Sequence, residues 1–236
     1  MTDLAANDPM AVLFPPRGLL ARLRDANRDE WLAYTRHDFV RGLGDGSLPQ
    51  RCFRHYLVQD YLFLIHFARA YALAAYKSET LDDIRKGLAA AAAIADMEMG
   101  LHVKYCAGWG IGEAEMQAAP EAPATIAYTR YVLERGLSGD LLDLHVALAP
   151  CVIGYAEIGL ALDRDPNTRR DGNPYADWIA MYAGADYQAV ARDAASFIEA
   201  LAVRRGASAR LDSLTRTFGE ATRAEIAFWQ QGLDAR

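Results

Sequence analysis

The sequence has few cysteines, and their spacing suits neither a metal site nor a disulfide framework. Cys52, Cys106 and Cys151 are the three cysteines among 236 residues, and no two of them form a Cys-x-x-Cys pair. An odd number of cysteines without that spacing indicates neither a zinc knuckle nor a set of disulfides. Any cysteine chemistry is therefore expected from a single thiol.

Long apolar runs and basic tracts are also missing. No apolar stretch approaches the roughly 20 residues that span a bilayer. The first sixteen residues carry two aspartates and no basic residue, unlike a signal peptide. The net charge is −6, from 25 basic and 31 acidic residues, which disfavours nucleic-acid binding. We expect a cytoplasmic protein with neither a membrane nor a nucleic acid as partner.

The periodicity of the apolar residues is helical throughout. These residues recur at intervals of three or four, and the alternation typical of strands is absent. The predicted helices span residues 17–35, 37–44, 50–76, 79–107, 121–137, 139–164, 173–204 (with a break near Gly184) and 207–232. No linker interrupts them, so we predict one all-α domain, a single-domain helical bundle over residues 17–236. A flexible arm is expected over residues 1–16.

One cysteine follows a proline inside a predicted helix. Pro150 has no N–H to donate and its ring clashes with the carbonyl of Val146, at a cost of about 3 kcal/mol. Tyr155 lies four residues after Cys151, so the thiol and the phenol share a helix face. Most unpaired cysteines are small buried hydrophobes, whereas a nucleophilic thiolate needs an activating environment. Both interpretations of Cys151 remain open from this pattern.

Two carboxylates lie on helix faces that are otherwise aromatic. Asp60 shares its face with phenylalanine and tyrosine side chains, and Glu225 lies among phenylalanine and tryptophan. Two carboxyl groups with different pKa values can divide the roles of acid and base. The alternative is a structural role. Asp60 would then bond a buried backbone group or an arginine such as Arg69, and Glu225 would pair with Arg223 or with a neighbouring helix.

A metal site is not expected. Glu98 and His102 have the spacing Glu-x-x-x-His, which differs from the Glu-x-x-His pairs of helical di-metal sites. We expect His102 to pack at a helix contact, and His55 and His145 to lie at the surface or at an interface. His37 is expected in the turn that starts a helix.

A series of short motifs spreads over residues 31–230. They are HDFV (37–40), GDGSLP (44–49), FRHYLVQDY (53–61), FARA (67–70), SGD (138–140), APC (149–151), YAEIG (155–159) and EIAFW (225–229). In this order they resemble the TenA (thiaminase II) family, in its cysteine-containing class. The resemblance implies a heme-oxygenase-like fold, no cofactor and a homotetramer.

The resemblance also implies an activity. The family's enzymes are aminopyrimidine aminohydrolases of thiamin salvage. They convert 4-amino-5-aminomethyl-2-methylpyrimidine to the hydroxymethyl pyrimidine and ammonia, and they hydrolyse thiamin to the hydroxymethyl pyrimidine and the thiazole. A small pyrimidine is thus the expected substrate.

Residue roles follow from the same resemblance. It implies that Cys151 is the nucleophile, that Glu225 is the acid and base, and that Asp60 holds the aminopyrimidine through its amino group and an adjacent ring nitrogen. Phe63 falls where many relatives carry a tyrosine, so it keeps a stacking surface and loses a hydroxyl. The expected substrate-binding residues are Tyr128, Tyr155, Tyr182 and Phe63.

Two other functions are weighed against this one. The first is another enzyme on the same fold, an oxidase related to pyrroloquinoline-quinone synthesis or a di-iron oxygenase, which would require a cluster of histidine and glutamate ligands or a basic pocket. The second is a regulatory protein without catalysis. The acidic charge balance and the absence of a helix-turn-helix signal disfavour direct DNA contact by such a regulator.

Overall fold

The computed structural model describes residues 9–95 and 99–235, and every regular element within these ranges is helical. The α-helices are α1 (Pro9–Leu13), α2 (Leu19–Ala26), α3 (Arg28–Thr35), α4 (Asp38–Asp45), α5 (Gln50–Lys77), α6 (Leu81–Ala93), α7 (Met99–Ala107), α8 (Glu113–Ala118), α9 (Pro123–Ser138), α10 (Leu141–Arg164), α11 (Ala176–Ala183), α12 (Ala185–Arg204) and α13 (Leu211–Leu233). A 3-10 helix, Ala207–Arg210, precedes α13. The predicted all-α class is confirmed.

The chain forms two compact units. The first unit comprises Met1–Leu48 and Val146–Ile226, and the second comprises Pro49–His145 and Ala227–Arg236. Helices α10 and α13 each contribute one end to the first unit and the other end to the second. The single catalytic domain expected over residues 17–236 stays a prediction.

Aromatic side chains fill the core of the first unit. Trp31 of α3 stacks on Phe218 of α13 with ring centroids 5.4 Å apart, and Phe14 meets Trp31 edge-on at 5.6 Å. Phe14 and Leu13 are buried. They belong to the predicted arm over residues 1–16, of which residues 1–8 lie outside the described residues. From Pro9 the described part of this segment is helical and then packed, since the core covers these two apolar side chains. The flexible arm over residues 1–16 stays a prediction.

The second unit is arranged around the long helix α5. This helix packs against α6, α7, α8 and α9. Its inward face carries Phe53, Tyr56 and Phe63, all at most 3% exposed. The end of α13 adds Phe228 and Trp229 to the same core, with the Trp229 ring 5.2 Å from that of Tyr56. The predicted aromatic face of α5 is therefore a buried face.

The turn around α4 follows its sequence signals. His37 caps the start of α4, where its Nδ1 accepts a hydrogen bond from the backbone N–H of Phe39 at 3.2 Å. The helix ends at Gly46, whose φ of 75° is in the left-handed region that favours glycine. Asp45 accepts from the backbone N–H of Ser47 at 2.8 Å. Both the helix start at His37 and the turn over residues 44–49 are confirmed.

The predicted helix over residues 17–35 is two helices, α2 and α3. The side-chain amide of Asn27 donates to the carbonyl oxygens of Leu23, at 2.9 Å, and of Thr215, at 3.2 Å. Asn27 adopts φ −119° and ψ 37°, outside the helical region. Of the predicted helix over residues 79–107, Leu81–Ala93 and Met99–Ala107 are α-helical, and residues 96–98 lie outside the described residues.

Helix α10 continues through its proline, as predicted. A reciprocal cap fixes its start, since Asp140 Oδ1 accepts from the backbone N–H groups of Leu142 and Asp143, and Asp143 Oδ2 accepts from that of Asp140. Within the described residues, α10 is the helix long and apolar enough to cross a membrane. Because 83% of its apolar window is buried inside the protein, it has the character of a core helix.

Candidate active site

Cys151 lies on α10, beside a close contact between two helices of the first unit. Its thiol is buried, with the residue 9% exposed. Gly154, three residues later, lets the ring of Tyr34 lie against the helix backbone, because a Cβ at this position would overlap that ring. The Tyr34 hydroxyl donates to the carbonyl oxygen of Pro150 at 3.3 Å. Tyr34 of α3 therefore packs against, and hydrogen-bonds to, the turn of α10 that carries Cys151.

Tyr155 and Tyr182, both predicted to bind substrate, lie together in the first unit. Their ring centroids are 4.9 Å apart, and Trp178 lies 4.5 Å from Tyr182. The amide of Gln188 holds this arrangement, since its Nε2 donates to the carbonyl oxygens of Ala156, at 3.0 Å, and Tyr182, at 2.7 Å. These rings form an aromatic surface one turn along α10 from the thiol.

One carboxyl group of the first unit is buried and a second is half-buried. Glu225, the predicted acid and base, is 1% exposed on α13. Arg223, the alternative partner considered for it, forms ion pairs with Glu30 at 3.1 Å and Glu220 at 2.9 Å. Sequence reasoning missed Glu157, which accepts a hydrogen bond from Trp31 Nε1 at 2.9 Å and whose pKa is raised by burial. The signal was its place in the YAEIG motif.

Asp60 lies in the second unit, and its partners differ from the predicted alternative. The residue is 4% exposed. Its Oδ2 accepts a hydrogen bond from the Tyr56 hydroxyl at 3.0 Å and lies 2.7 Å from His102 Nε2. Arg69 contacts His66 Nδ1 at 3.3 Å. A structural pair between Asp60 and Arg69 was therefore the wrong alternative, and Asp60 is instead held by a phenol and an imidazole.

His102 is the residue of this arrangement that sequence reasoning failed to assign. It is fully buried on α7 and bonded to Asp60, whereas only a packing contact was expected for it. The available signal was its spacing of four from Cys106, which places both on one buried helix face. A buried polar side chain on such a face needs a hydrogen-bond partner. His145, which was expected at the surface or at an interface, is buried.

Phe63 and Tyr128, the other two predicted binding residues, meet in the second unit. Their ring centroids are 4.9 Å apart, with planes inclined by 39°. Phe228 lies 5.6 Å from Phe63. Phe63 follows Asp60 by three residues on α5, so the aromatic surface continues from the carboxylate. Such a surface suits a flat heteroaromatic ligand.

The position of Tyr128 depends on how α9 begins. Gln59 Oε1 accepts from the backbone N–H of Ala122 and from the hydroxyl of Thr125, both at 2.8 Å. Gln59 Nε2 donates to the carbonyl oxygen of Pro120 at 3.0 Å. Because Gln59 precedes Asp60, one turn of α5 fixes both the carboxylate and the start of the helix that carries Tyr128.

This leaves the metal-ligand residue types and the two other cysteines, both of which are buried. Within residues 9–95 and 99–235, no group of three or more His, Cys, Asp or Glu side chains could hold a metal ion. Burial raises the pKa of the Cys106 thiol to about 11, so it is protonated near neutral pH. Cys52 Sγ contacts the carbonyl oxygen of Leu233 at 3.6 Å.

The described contacts thus divide the predicted residues into two sets. Those of the first unit are Cys151, Tyr155, Tyr182 and Glu225, and those of the second are Asp60, Phe63 and Tyr128. A cavity of about 420 Å³ in the second unit has none of them in its lining. It is lined by His55, Ala122, Pro123, Ala124, Ala227, Gln230, Gln231, Asp234 and Ala235.

Comparison with known proteins identifies the family. The model of the TENA/THI-4/PQQC family matches residues 24–235. The chain belongs to this family, as the motifs indicated. It is 34% identical to an aminopyrimidine aminohydrolase of Halalkalibacterium halodurans, over 92% of this chain and 96% of that one. It is 28% identical to the hydroxymethylpyrimidine/phosphomethylpyrimidine kinase THI20 of Saccharomyces cerevisiae, of which it spans 37%.

Solved structures agree with the family and the fold. A crystal structure from Silicibacter sp. TM1040, described as a TenA family transcription regulator, is 44% identical and superimposes with a TM-score of 0.85, over 91% of this chain and 96% of that chain. A domain of unknown function with a heme oxygenase-like fold, from Shewanella denitrificans, gives a TM-score of 0.68 at 13% identity, over 91% and 92%. The heme-oxygenase-like fold is confirmed.

Proposed function

We propose that the protein is an aminopyrimidine aminohydrolase, a hydrolase that acts on C–N bonds in thiamin salvage. The observation that carries the proposal is the likeness to the Halalkalibacterium halodurans enzyme over most of both chains. The residue types that the reaction needs are present as buried groups, namely the thiol of Cys151 and the carboxyls of Glu225 and Asp60.

The proposed substrate is 4-amino-5-aminomethyl-2-methylpyrimidine, and the products are the hydroxymethyl pyrimidine and ammonia. Thiamin is a second proposed substrate, cleaved by water to the hydroxymethyl pyrimidine and the thiazole. The yeast relative supports this choice of product. Its name is that of a kinase for hydroxymethylpyrimidine, and 37% of its length is similar to this chain.

Nucleophilic catalysis fits the chemistry of the exocyclic C–N bond. The Cys151 thiolate adds to a ring carbon, and the electrons of the ring then expel the amine, which takes a proton from Glu225 and leaves as ammonia. Water adds to the exocyclic carbon and gives a proton back to Glu225. The sulfur–carbon bond then breaks and the thiolate is restored, so that one water is consumed and one ammonia released.

Asp60 and the aromatic side chains bind the pyrimidine in this proposal. A buried carboxylate accepts a hydrogen bond from the ring's amino group and stabilises the protonated ring. The rings of Phe63 and Tyr128, 4.9 Å apart, and those of Tyr155 and Tyr182, also 4.9 Å apart, offer stacking surfaces. These contacts are present in substrate and product alike, so we expect them to govern binding more than turnover.

The test compares two substrates side by side. Purified protein is incubated with the aminomethyl pyrimidine and, separately, with thiamin, and ammonia and the pyrimidine product are quantified. We expect ammonia and the hydroxymethyl pyrimidine in equal amounts from the first substrate. If neither compound gives a pyrimidine product, the proposed function is refuted.

A regulatory role is the second candidate, because the Silicibacter structure is described as a transcription regulator. With a net charge of −6 and no basic tract, direct DNA contact is disfavoured, so a regulator of this kind would act by binding a protein. The same assay separates the two functions, since a regulator without catalysis releases no ammonia from the aminomethyl pyrimidine.

The proposal extends to the state of the protein in the cell. The enzyme acts in the cytoplasm as a homotetramer, without a cofactor. The family resemblance supports these statements. The reaction as written needs only water as a second reactant, which is consistent with catalysis by side chains alone.

A further inference from the structure

Two buried donors converge on one oxygen of Asp60. The Tyr56 hydroxyl donates to Oδ2 at 3.0 Å, and His102 Nε2 lies 2.7 Å from the same atom. Tyr56 is 1% exposed and His102 is 0% exposed. An ionised carboxylate only accepts hydrogen bonds, with about two lone-pair directions on each oxygen. Both bonds end on Oδ2, and with the Asp60 carboxylate as acceptor, His102 donates through its Nε2–H.

We infer that Tyr56 and His102 act as a donor pair that makes Oδ1 the ligand-binding oxygen of Asp60. This inference rests on the proposed function, in which Asp60 accepts the amino group of the pyrimidine. With Oδ2 occupied, the ligand contacts the carboxylate through one oxygen. The contact expected from the resemblance, to the amino group and the adjacent ring nitrogen together, is thereby reduced to a contact with Oδ1 alone.

The donor pair joins two different helices. Tyr56 lies one turn before Asp60 on α5, and it shares the aromatic core of the second unit with Phe53, whose ring is 5.8 Å away. His102 reaches the carboxylate from α7, 42 residues along the chain. Hydrogen bonds to a charged group are stronger than those between neutral groups. Together they fix the rotation of the carboxylate before a ligand binds, which makes both residues positioning residues.

The test uses substitutions that keep or remove the donor. His102→Gln retains an amide N–H near the position of Nε2, and His102→Leu removes the donor but keeps an apolar side chain. Tyr56→Phe removes only the hydroxyl. His145→Leu is the matched control, because His145 is a buried histidine of the same unit that has no part in the donor pair. For each variant, KM and kcat for the aminomethyl pyrimidine and the thermal midpoint of unfolding are measured.

We expect His102→Leu to raise KM about tenfold or more while kcat stays within about threefold, because an orientation used in both ground and transition states affects binding uniformly. His102→Gln should keep KM within about threefold of the wild type, and Tyr56→Phe should raise it by a few-fold. His145→Leu should lower the unfolding midpoint without changing KM. A purely structural His102 would behave like His145.

The outcomes separate the donor pair from the proposed function. If the wild type turns over the substrate and neither His102→Leu nor Tyr56→Phe raises KM, the donor pair is refuted while the proposed function stands. If His102→Leu does not fold, Tyr56→Phe decides against the wild type, and a KM equal to the wild-type value refutes the donor pair. If the wild type forms no pyrimidine product at all, the proposed function fails and the donor pair fails with it.

Discussion

Turnover is expected to depend on the sulfur of Cys151 more than on any other atom of the protein. Cys151→Ser replaces the thiolate with a hydroxyl that is almost fully protonated at neutral pH, so we expect turnover to fall by about 1,000-fold or more. Binding of the hydroxymethyl pyrimidine should change less than about threefold, because the covalent step is not needed for it. Ammonia release and titration calorimetry measure the two quantities.

Cys106→Ala is the control for this experiment. Its thiol has a pKa raised to about 11 by burial, so it supplies no thiolate near neutral pH. The folded variant should retain turnover. Near wild-type ammonia release by Cys151→Ser would remove the nucleophile from the proposed mechanism, whatever the behaviour of the control.

Single residues show where sequence reasoning succeeds and where it stops. Asp60 and Glu225 could be predicted as buried carboxyls because their helical neighbours at spacings of three and four are aromatic. The hydrogen bond between Asp60 and His102 could not be predicted, because a contact between residues 42 apart in sequence depends on how α5 and α7 pack. Periodicity indicates on which side of its own helix a residue lies, but it does not identify the residue of another helix that contacts it.

At the scale of elements, the contact of α3 with α10 depends on a glycine. Gly154→Ala places a Cβ within the ring of Tyr34, so the ring or the helix must shift. We expect this overpacking to destabilise the protein by about 1–3 kcal/mol. Urea unfolding followed by circular dichroism measures the change in free energy.

Gly100→Ala is the matched control, because no atom of the described residues lies within 4 Å of a Cβ at that helical position. Alanine there should be neutral or stabilise the protein by about 0.5–1 kcal/mol, since it lowers the entropy of the unfolded chain. Equal stability of Gly154→Ala and the wild type would show that Tyr34 does not pack against α10 as described.

The long helices were predictable from their periodicity, whereas short helices were predicted only where a turn signal marks them, as at α4. Helices α5, α9, α10 and α13 each extend over four turns or more, so their apolar faces repeat often enough to be recognised. The break at Asn27 depends on a bond to the carbonyl of Thr215, 188 residues away, and local pattern cannot reveal it. Helix α8, with six residues, is too short for its periodicity to be recognised.

For the whole molecule, the helix pattern alone did not reveal how the chain is divided between the two units. Each unit combines two separate stretches of sequence, and the chain passes from the first unit to the second, back to the first and again to the second. Neither unit can therefore be released by a single cut. Experiments on the candidate residues require the full chain, since any truncation to one half removes residues of at least one predicted set.

The stability of the whole molecule should fall in mild acid because of one buried histidine. Burial lowers the pKa of His145 from 6.5 to about 4, and the nearby Asp83 carboxylate opposes this only in part. Below pH 6.5 His145 becomes protonated in the unfolded chain, whereas in the folded protein it stays neutral until about pH 4. The unfolded state thus binds more protons in this interval, and the folded protein loses roughly 3 kcal/mol across it. Urea unfolding between pH 7.5 and pH 4.5 should show this loss in the wild type, and a shallower slope in His145→Gln. Equal slopes in the two proteins would mean that His145 titrates alike in the folded and unfolded states, and the burial argument would then be wrong.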